Sequence, residues 1–348
     1  MKAPMLFLLL FCIWNRPAIG SPGTASGSPG QRITVSSGHP ITDHPITNHP
    51  ITGHGITDSP GQRITGQRIT GSPEISRSPG EGTIQAGAFR IKYTEQGTGD
   101  PLILLHAGVQ NRHMWDTQIA AFSRTYRVIA FDLPGHGETA GADTVTLIAE
   151  IINTLMDSLK IPRASFIGLS FGSTCVTEFV LAHPQRVNKL VLVSPGLLKA
   201  TDLLPADSLS MNLFNRIDSA SVAGDHIRFA RYFTDTWCIG PFRDSNSVSP
   251  ATRNYIYNTT LANRYAHHRD DWRPFGKAPT TPKLSTIQQP ILVIAGDKDV
   301  PYILGIARYI HEQVKQSRLW IMKDVAHMLN MEKPADFNRE VLRFLKQP

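Results

Sequence analysis

The chain has 348 residues, a formal net charge of +7, and 41% hydrophobic and 18% charged residues, which suits a globular protein with a sizeable core in one large or two ordinary domains. Its Lys and Arg residues are scattered, with no basic stripe interleaved with aromatics; this argues against nucleic acid as a partner, and the charge serves solubility. No stretch is long and apolar enough for a membrane helix, which needs roughly 20 residues.

In chain order, Lys2, an apolar run over residues 5–14 and the small-x-small sequence Ala18-Ile19-Gly20 make residues 1–20 an export signal cleaved before Ser21, so the mature protein is expected in the periplasm or outside the cell. Phe11 before Cys12 is too bulky for a usual lipoprotein cleavage site. Removal of the signal leaves Cys175 and Cys238, which can form one disulfide or stand as two buried thiols.

Residues 21–85 contain no Leu, Met, Phe, Tyr, Trp or Cys and repeat themselves: "HPIT" at 39–42, 44–47 and 49–52, "GQRIT" at 30–34, 61–65 and 66–70. Such a Pro/Gly/Ser/Thr/His tail cannot bury enough apolar area to offset its ordering entropy and is expected to be a disordered spacer. Its histidines, His39, His44, His49 and His54, do not form a metal site on this reading. Pro follows three of them and favours extended chain, which sets neighbours roughly 16 Å apart at about 3.3 Å per residue.

An ordered domain is expected from Ala86. Residues 88–97 alternate like an antiparallel strand, and "PLILLHAG" (101–108) is a continuous apolar run typical of a strand buried on both faces. A helix follows over 114–123, then the buried strand of "YRVIAFDLPGHG" (126–137) and a helix over 144–159 with Thr144 as start signal. Next come the strand "ASFIGL", a helix over 173–182 and the strand "VNKLVLVSP" (187–195). The alternation resumes with strands at 290–296 and 317–323 and helices near 302–314 and 335–345. Alternating buried strands and helices imply a mainly parallel, doubly wound sheet. The core therefore comprises 86–197 and 287–348. The intervening 198–286 has helical pieces and aromatics, too long for a structureless loop, and reads as an inserted helical cap.

Gly168-Leu169-Ser170-Phe171-Gly172 fits G-x-S-x-G between a strand and a helix, the setting in which a serine is held exposed on a tight turn. A serine hydroxyl needs a base. Among 13 histidines, His327 lies after the last strand, at the same sheet edge, and follows an acid candidate in the chain order Ser, Asp, His. "AGDKDVP" offers Asp297 and Asp299 as that acid, and either could instead cap the next helix. Two backbone N–H groups are needed for an oxyanion: Phe171 beside the serine, and Gly108 or its neighbours in the loop after "LILLH".

The segments "LLHAGVQNRHMWD", "VIAFDLPGHGET", "FIGLSFGS", "ILVIAGDKDVP" and "AHMLNMEKPADFNREVLRFL" resemble the α/β-hydrolase fold family over about 86–346. The resemblance implies Ser170 as nucleophile, His327 as base and Asp299 as acid, with the N–H groups of Gly108 and Phe171 as oxyanion site. Ala107 departs from the family's usual His-Gly at this loop, leaving Gly108 or Val109 as donor. His106 and His136 are expected to support their turns. A serine in place of the aspartate used by relatives that open epoxides or displace halide points to acyl transfer, with no cofactor and no metal.

Trp115, Phe171, Phe233, Trp237, Trp272 and Phe275 are candidate pocket aromatics, and Arg112 a candidate for binding a substrate carboxylate. The expected function is an exported serine hydrolase of a small ester or lactone, with a small acyl compound as its substrate. Carbon–carbon hydrolysis or cofactor-free peroxidation on the same fold is the first alternative, and a non-catalytic binding protein the second.

Overall fold

The computed structural model describes residues 80–141, 146–200, 204–264, 275 and 281–347. The export signal, the repeat histidines, Thr144 and Trp272 lie outside them.

The described strands are β1 (Gly80–Ala86), β2 (Phe89–Gln96), β3 (Asp100–Leu105), β4 (Tyr126–Phe131), β5 (Ala164–Leu169), β6 (Val187–Val193), β7 (Ile291–Gly296) and β8 (Ser317–Met322). They form one sheet in the order β1-β2-β4-β3-β5-β6-β7-β8. β1 and β2 run antiparallel to their neighbours, and every pair from β4 to β8 is parallel. The central strands read as unbroken apolar runs because helices cover both faces: Leu102–Leu105 and Val128–Phe131 are wholly buried, as are all residues of β5 and β7.

The core helices are α1 (Asp116–Phe122), α2 (Ile148–Ser158), α3 (Phe171–Ala182), α7 (Pro301–Gln313), the short α8 (Leu329–Glu332) and α9 (Pro334–Leu345). In α2 the buried residues Ile148, Ile151, Ile152, Leu155 and Met156 recur at helical spacing and make one apolar stripe. Between β6 and β7 the described residues form α4 (Ser208–Val222), α5 (His226–Phe233), a π-helical segment (Thr234–Ile239) and α6 (Pro250–Ala262). Asp207, Asp225 and Ser249 start the three α-helices by accepting from the backbone N–H of Ser210, Arg228 and Thr252. No helix among the described residues is long and apolar enough to cross a membrane.

Three local expectations need correction. Order does not start at Ala86: "GEGTIQA" (Gly80–Ala86) already forms a strand that pairs along its whole length with β2, although only Ile84 and Ala86 of it are apolar and buried. Glu81 reinforces this through Lys92 at 2.7 Å and Arg112 at 3.0 Å. The 144–159 helix begins only at Ile148, with Leu147 at its cap and no side-chain capping bond. Arg112 cannot meet a substrate carboxylate, because it is buried and already paired with Asp132 at 2.6 Å, Glu81 and Glu138. Cys175 and Cys238 are two buried thiols, unpaired with each other.

Removing one partner of a buried ion pair leaves the other charge uncompensated, at about 3–5 kcal/mol. Arg112→Met should lose that much stability in urea unfolding, with Asp132 left buried and unpaired. A loss below about 1 kcal/mol would show that the surface partners, not Asp132, hold Arg112.

Candidate active site

Ser170 sits between β5 and α3 with φ 55° and ψ −113°, a conformation that non-glycine residues rarely adopt. Such backbone costs of order 1–3 kcal/mol and persists only where its surroundings fix it. Here they do. The Ser170 N–H donates to Val193 O at 2.9 Å, while its carbonyl accepts from the N–H groups of Ser173, Thr174 and Gly196 and from Ser173 Oγ at 2.7 Å. The two motif glycines meet backbone: a Cβ on Gly172 would lie 2.4 Å from Leu105 O, and one on Gly168 2.4 Å from Gly172 O. Phe171 opens α3, where backbone N–H groups have no acceptor within the helix.

The loops after β7 and β8 bring an acid and a histidine together. His327 Nδ1 lies 2.9 Å from Asp299 Oδ2 and 3.2 Å from Oδ1, with Asp299 0% and His327 2% exposed. With Nδ1–H donating to the carboxylate, Nε2 is the nitrogen that can take a proton. Val300 N–H fixes the other side of the carboxylate at 2.7 Å from Oδ1. Asp297 points elsewhere, accepting from Asp324 N–H at 2.7 Å with Lys298 and Lys323 nearby. Of the two aspartates, Asp299 is the one that meets the histidine.

The cap packs on both of these loops. Trp237, in the π-helical segment, sets its ring 4.4 Å from that of His327. Gly240 follows, so close that a Cβ there would lie 2.5 Å from Lys298 O and 2.8 Å from Ala326 Cβ. Arg243 then donates to Cys238 O, Ile239 O and Asp324 O and pairs with Glu332 at 2.7 Å. Glu332 in turn accepts from the N–H of Ala326, the residue before His327, at 2.8 Å. Burial raises the Glu332 carboxyl above its ordinary value, against the opposing pull of Arg243.

The loop after β3 carries Gly108 and Val109, the expected oxyanion donors. His106 accepts from Leu133 N–H through Nε2 at 2.9 Å, so its Nδ1–H donates to Ala107 O at 2.7 Å. Gly108 and Val109 are both buried, and Val109 has φ 52°, a true outlier for a β-branched residue. His136 donates from Nδ1 to Pro134 O at 3.0 Å. Its pKa is pushed down to about 3, first by burial and then by the neighbouring His106. Both rings brace turns, as expected from the sequence.

The candidate aromatics separate. Trp237 and Phe233 lie together, ring centroids 6.4 Å apart, with Trp237 on the histidine. Phe171 meets Phe275 edge-on at 5.7 Å. Trp115 is 0% exposed and packs on Phe337 of α9, apart from the Trp237–Phe233 pair. The Arg243–Glu332 pair and the polar contacts of α6 described below went unrecognised in the sequence. The only available cue was Glu332 in "AHMLNMEKP", five residues beyond the histidine.

A family model described as "alpha/beta hydrolase fold" matches residues 100–334. The 2-hydroxy-6-oxo-6-phenylhexa-2,4-dienoate hydrolase of Comamonas testosteroni is 26% identical over 279 residues, 74% of this chain and 92% of that protein. Carboxylesterase YbfK of Bacillus subtilis is 27% identical over 250 residues, 70% of this chain and 79% of that one. Its crystal structure overlays with a TM-score of 0.61 at 22% identity, covering 78% of this chain and 92% of that one. The 3-oxoadipate enol-lactonase 2 of Acinetobacter baylyi is 25% identical over 270 residues, 76% of this chain and 96% of that one.

His136 should make the fold pH-sensitive. Its ordinary pKa of 6.5 falls to about 3 in the folded state, so between these values the unfolded chain binds a proton that the folded chain refuses. Stability should be lost as pH falls through this window. Between about pH 7 and about pH 4.5, the urea midpoint of His136→Gln should drop less than that of the parent. Parallel pH profiles would show that another group carries the dependence.

Proposed function

The chain belongs to the α/β-hydrolase family, and from that premise we propose that it is an exported serine hydrolase cleaving a small ester or lactone through an acyl-enzyme. The observation that carries this reading is the buried 2.9 Å contact between His327 Nδ1 and Asp299. It orients the ring at the sheet edge where β5 ends in the strained Ser170. Nothing in folding requires a serine, a histidine and an aspartate in this relation.

In the proposed reaction Ser170 Oγ attacks the substrate carbonyl carbon while its proton passes to His327 Nε2. The carbonyl π pair moves onto oxygen, and the N–H groups of Phe171 and Gly108 receive that oxyanion. Asp299 stabilises the imidazolium and fixes its tautomer. Collapse breaks the bond to the leaving alkoxide, which takes the proton from His327. Water then attacks the acyl-enzyme with His327 as base, returning the proton to Ser170 as the acid product leaves. Each step is carried by groups of this chain.

Trp237 and Phe233 form an apolar wall beside His327, which suits a small acyl or alkyl group. The likeness to a carboxylesterase and an enol-lactonase supports the ester and lactone reading. A second reading, hydrolysis of a carbon–carbon bond beside a ketone, draws on the likeness to the Comamonas enzyme, whose substrate name carries a 6-oxo group. Export rests on Lys2, the apolar 5–14 run and Ala18-Ile19-Gly20.

A short-chain p-nitrophenyl ester assay tests the reading. Ser170→Ala and Asp299→Asn should each lose at least about 10³-fold in kcat, and Asp297→Asn less than about tenfold. Equal activity in the parent and Ser170→Ala would overturn the catalytic role of Ser170. A larger loss at Asp297 than at Asp299 would reassign the acid. Ser170-dependent cleavage of a 1,5-diketone compound with inert esters would favour the second reading.

A further inference from the structure

α6 and Asn263, the residue that follows it, bond to three consecutive residues, Val109, Gln110 and Asn111, in the loop proposed above to receive the oxyanion. Tyr255 Oη donates to Asn111 Oδ1 at 2.7 Å, and that same oxygen accepts from His113 N–H at 3.1 Å. Gln110 Nε2 donates to Thr260 Oγ1 at 2.9 Å, with both residues fully buried. Asn263, the residue after the helix, donates from Nδ2 to Gln110 O at 2.9 Å and to Val109 O at 3.4 Å. Its Oδ1 accepts from Gly137 N–H at 3.0 Å, which ties it to the turn after β4.

This arrangement bears on a strained point. Val109 occupies the left-handed region at φ 52°, where a β-branched side chain is disfavoured. Within its own loop one backbone bond closes the turn around it, from Gln110 N–H to Ala107 O at 3.2 Å. The Gly108 N–H lies in the peptide plane before Gly108 and the Val109 N–H in the plane before Val109, so where both point depends on how the turn at Val109 is held against the planes that follow it. A side-chain amide anchored on Gly137 and holding the carbonyls of Val109 and Gln110 fixes, from outside the loop, the two peptide planes that follow Val109, and so holds the downstream end of the φ 52° turn that joins them to the Gly108 and Val109 amides. At 9% exposure Asn263 makes these bonds where water competes little.

We propose that Asn263 is a positioning residue: by bridging the cap, the β4 turn and the Val109–Gln110 carbonyls, it holds the oxyanion-binding amides in line. The cap thereby contributes to transition-state stabilisation as well as to the pocket wall. This inference rests on the serine-hydrolase reading above.

Asn263→Asp separates this role from simple packing. It keeps the acceptor for Gly137 N–H and the side-chain shape, but sets an oxygen against two carbonyls where an N–H stood. Loss of an oxyanion donor costs roughly 10²–10³ in rate, and misalignment should cost a fraction of that, about 10–100-fold in kcat. KM on a p-nitrophenyl ester should change less than about threefold. A short-chain trifluoromethyl ketone adds to the serine and places an alkoxide at the oxyanion site, so its affinity should fall by the same factor as kcat/KM. Asn263→Ala, which removes the bonds without the repulsion, should show the same matched losses at about tenfold. The proposal is overturned if both variants stay within about twofold of the parent, if ketone affinity does not follow kcat/KM, or if Asn263→Ala fails to fold. A parent protein that neither hydrolyses the ester nor binds the ketone would overturn the underlying hydrolase reading instead.

Discussion

Everything at this site depends on one backbone constraint, the left-handed turn at Ser170. A serine at φ 55° is held there by a carbonyl that accepts from three N–H groups and a hydroxyl, and by its own N–H on β6. Gly168 and Gly172 let β5, α3 and β3 approach closer than any side chain would permit. The strain is therefore offset by neighbouring structure and not relieved by motion of the serine itself. In the proposed reaction, a nucleophile fixed in this way would lose little entropy on reaching its reactive position.

Around that turn the parallel sheet does the assembling. Strands β3, β5, β7 and β8 all end at one edge, so residues far apart in sequence arrive together without long connections. The cap is more than a cover in this arrangement. Its first part presses Trp237 on His327, brings Gly240 against the acid and histidine loops, and locks to the residue before His327 through Arg243 and Glu332. Its last helix grips the loop after β3. On the proposed reading, substrate selection and catalytic alignment share one inserted segment.

The legibility of the sequence followed the range of the interactions involved. Strands β3 to β7 were readable because burial on two faces leaves an apolar run in the chain itself. Strand β1 was not, since "GEGTIQA" gains its order from pairing with β2 and from charges on Lys92 and Arg112. Ser170 and His327 were marked by local pattern and chain order. The choice between Asp297 and Asp299 needed the resemblance, because one loop presents both and only the fold turns one towards the histidine. Arg112 was misread for the same reason: Glu81, Asp132 and Glu138 surround it from distant strands and turns. Asn263 carries no local signature at all, since its partners lie more than a hundred residues upstream.

The central claim is that Ser170, strained at the end of β5, is the residue that attacks. Treatment with a fluorophosphonate ester, followed by proteolysis and mass spectrometry, tests it most directly, because the reagent traps an activated serine whatever the natural acyl group is. The account predicts one covalent adduct, located on Ser170. An unmodified protein, or an adduct confined to another residue, would contradict it.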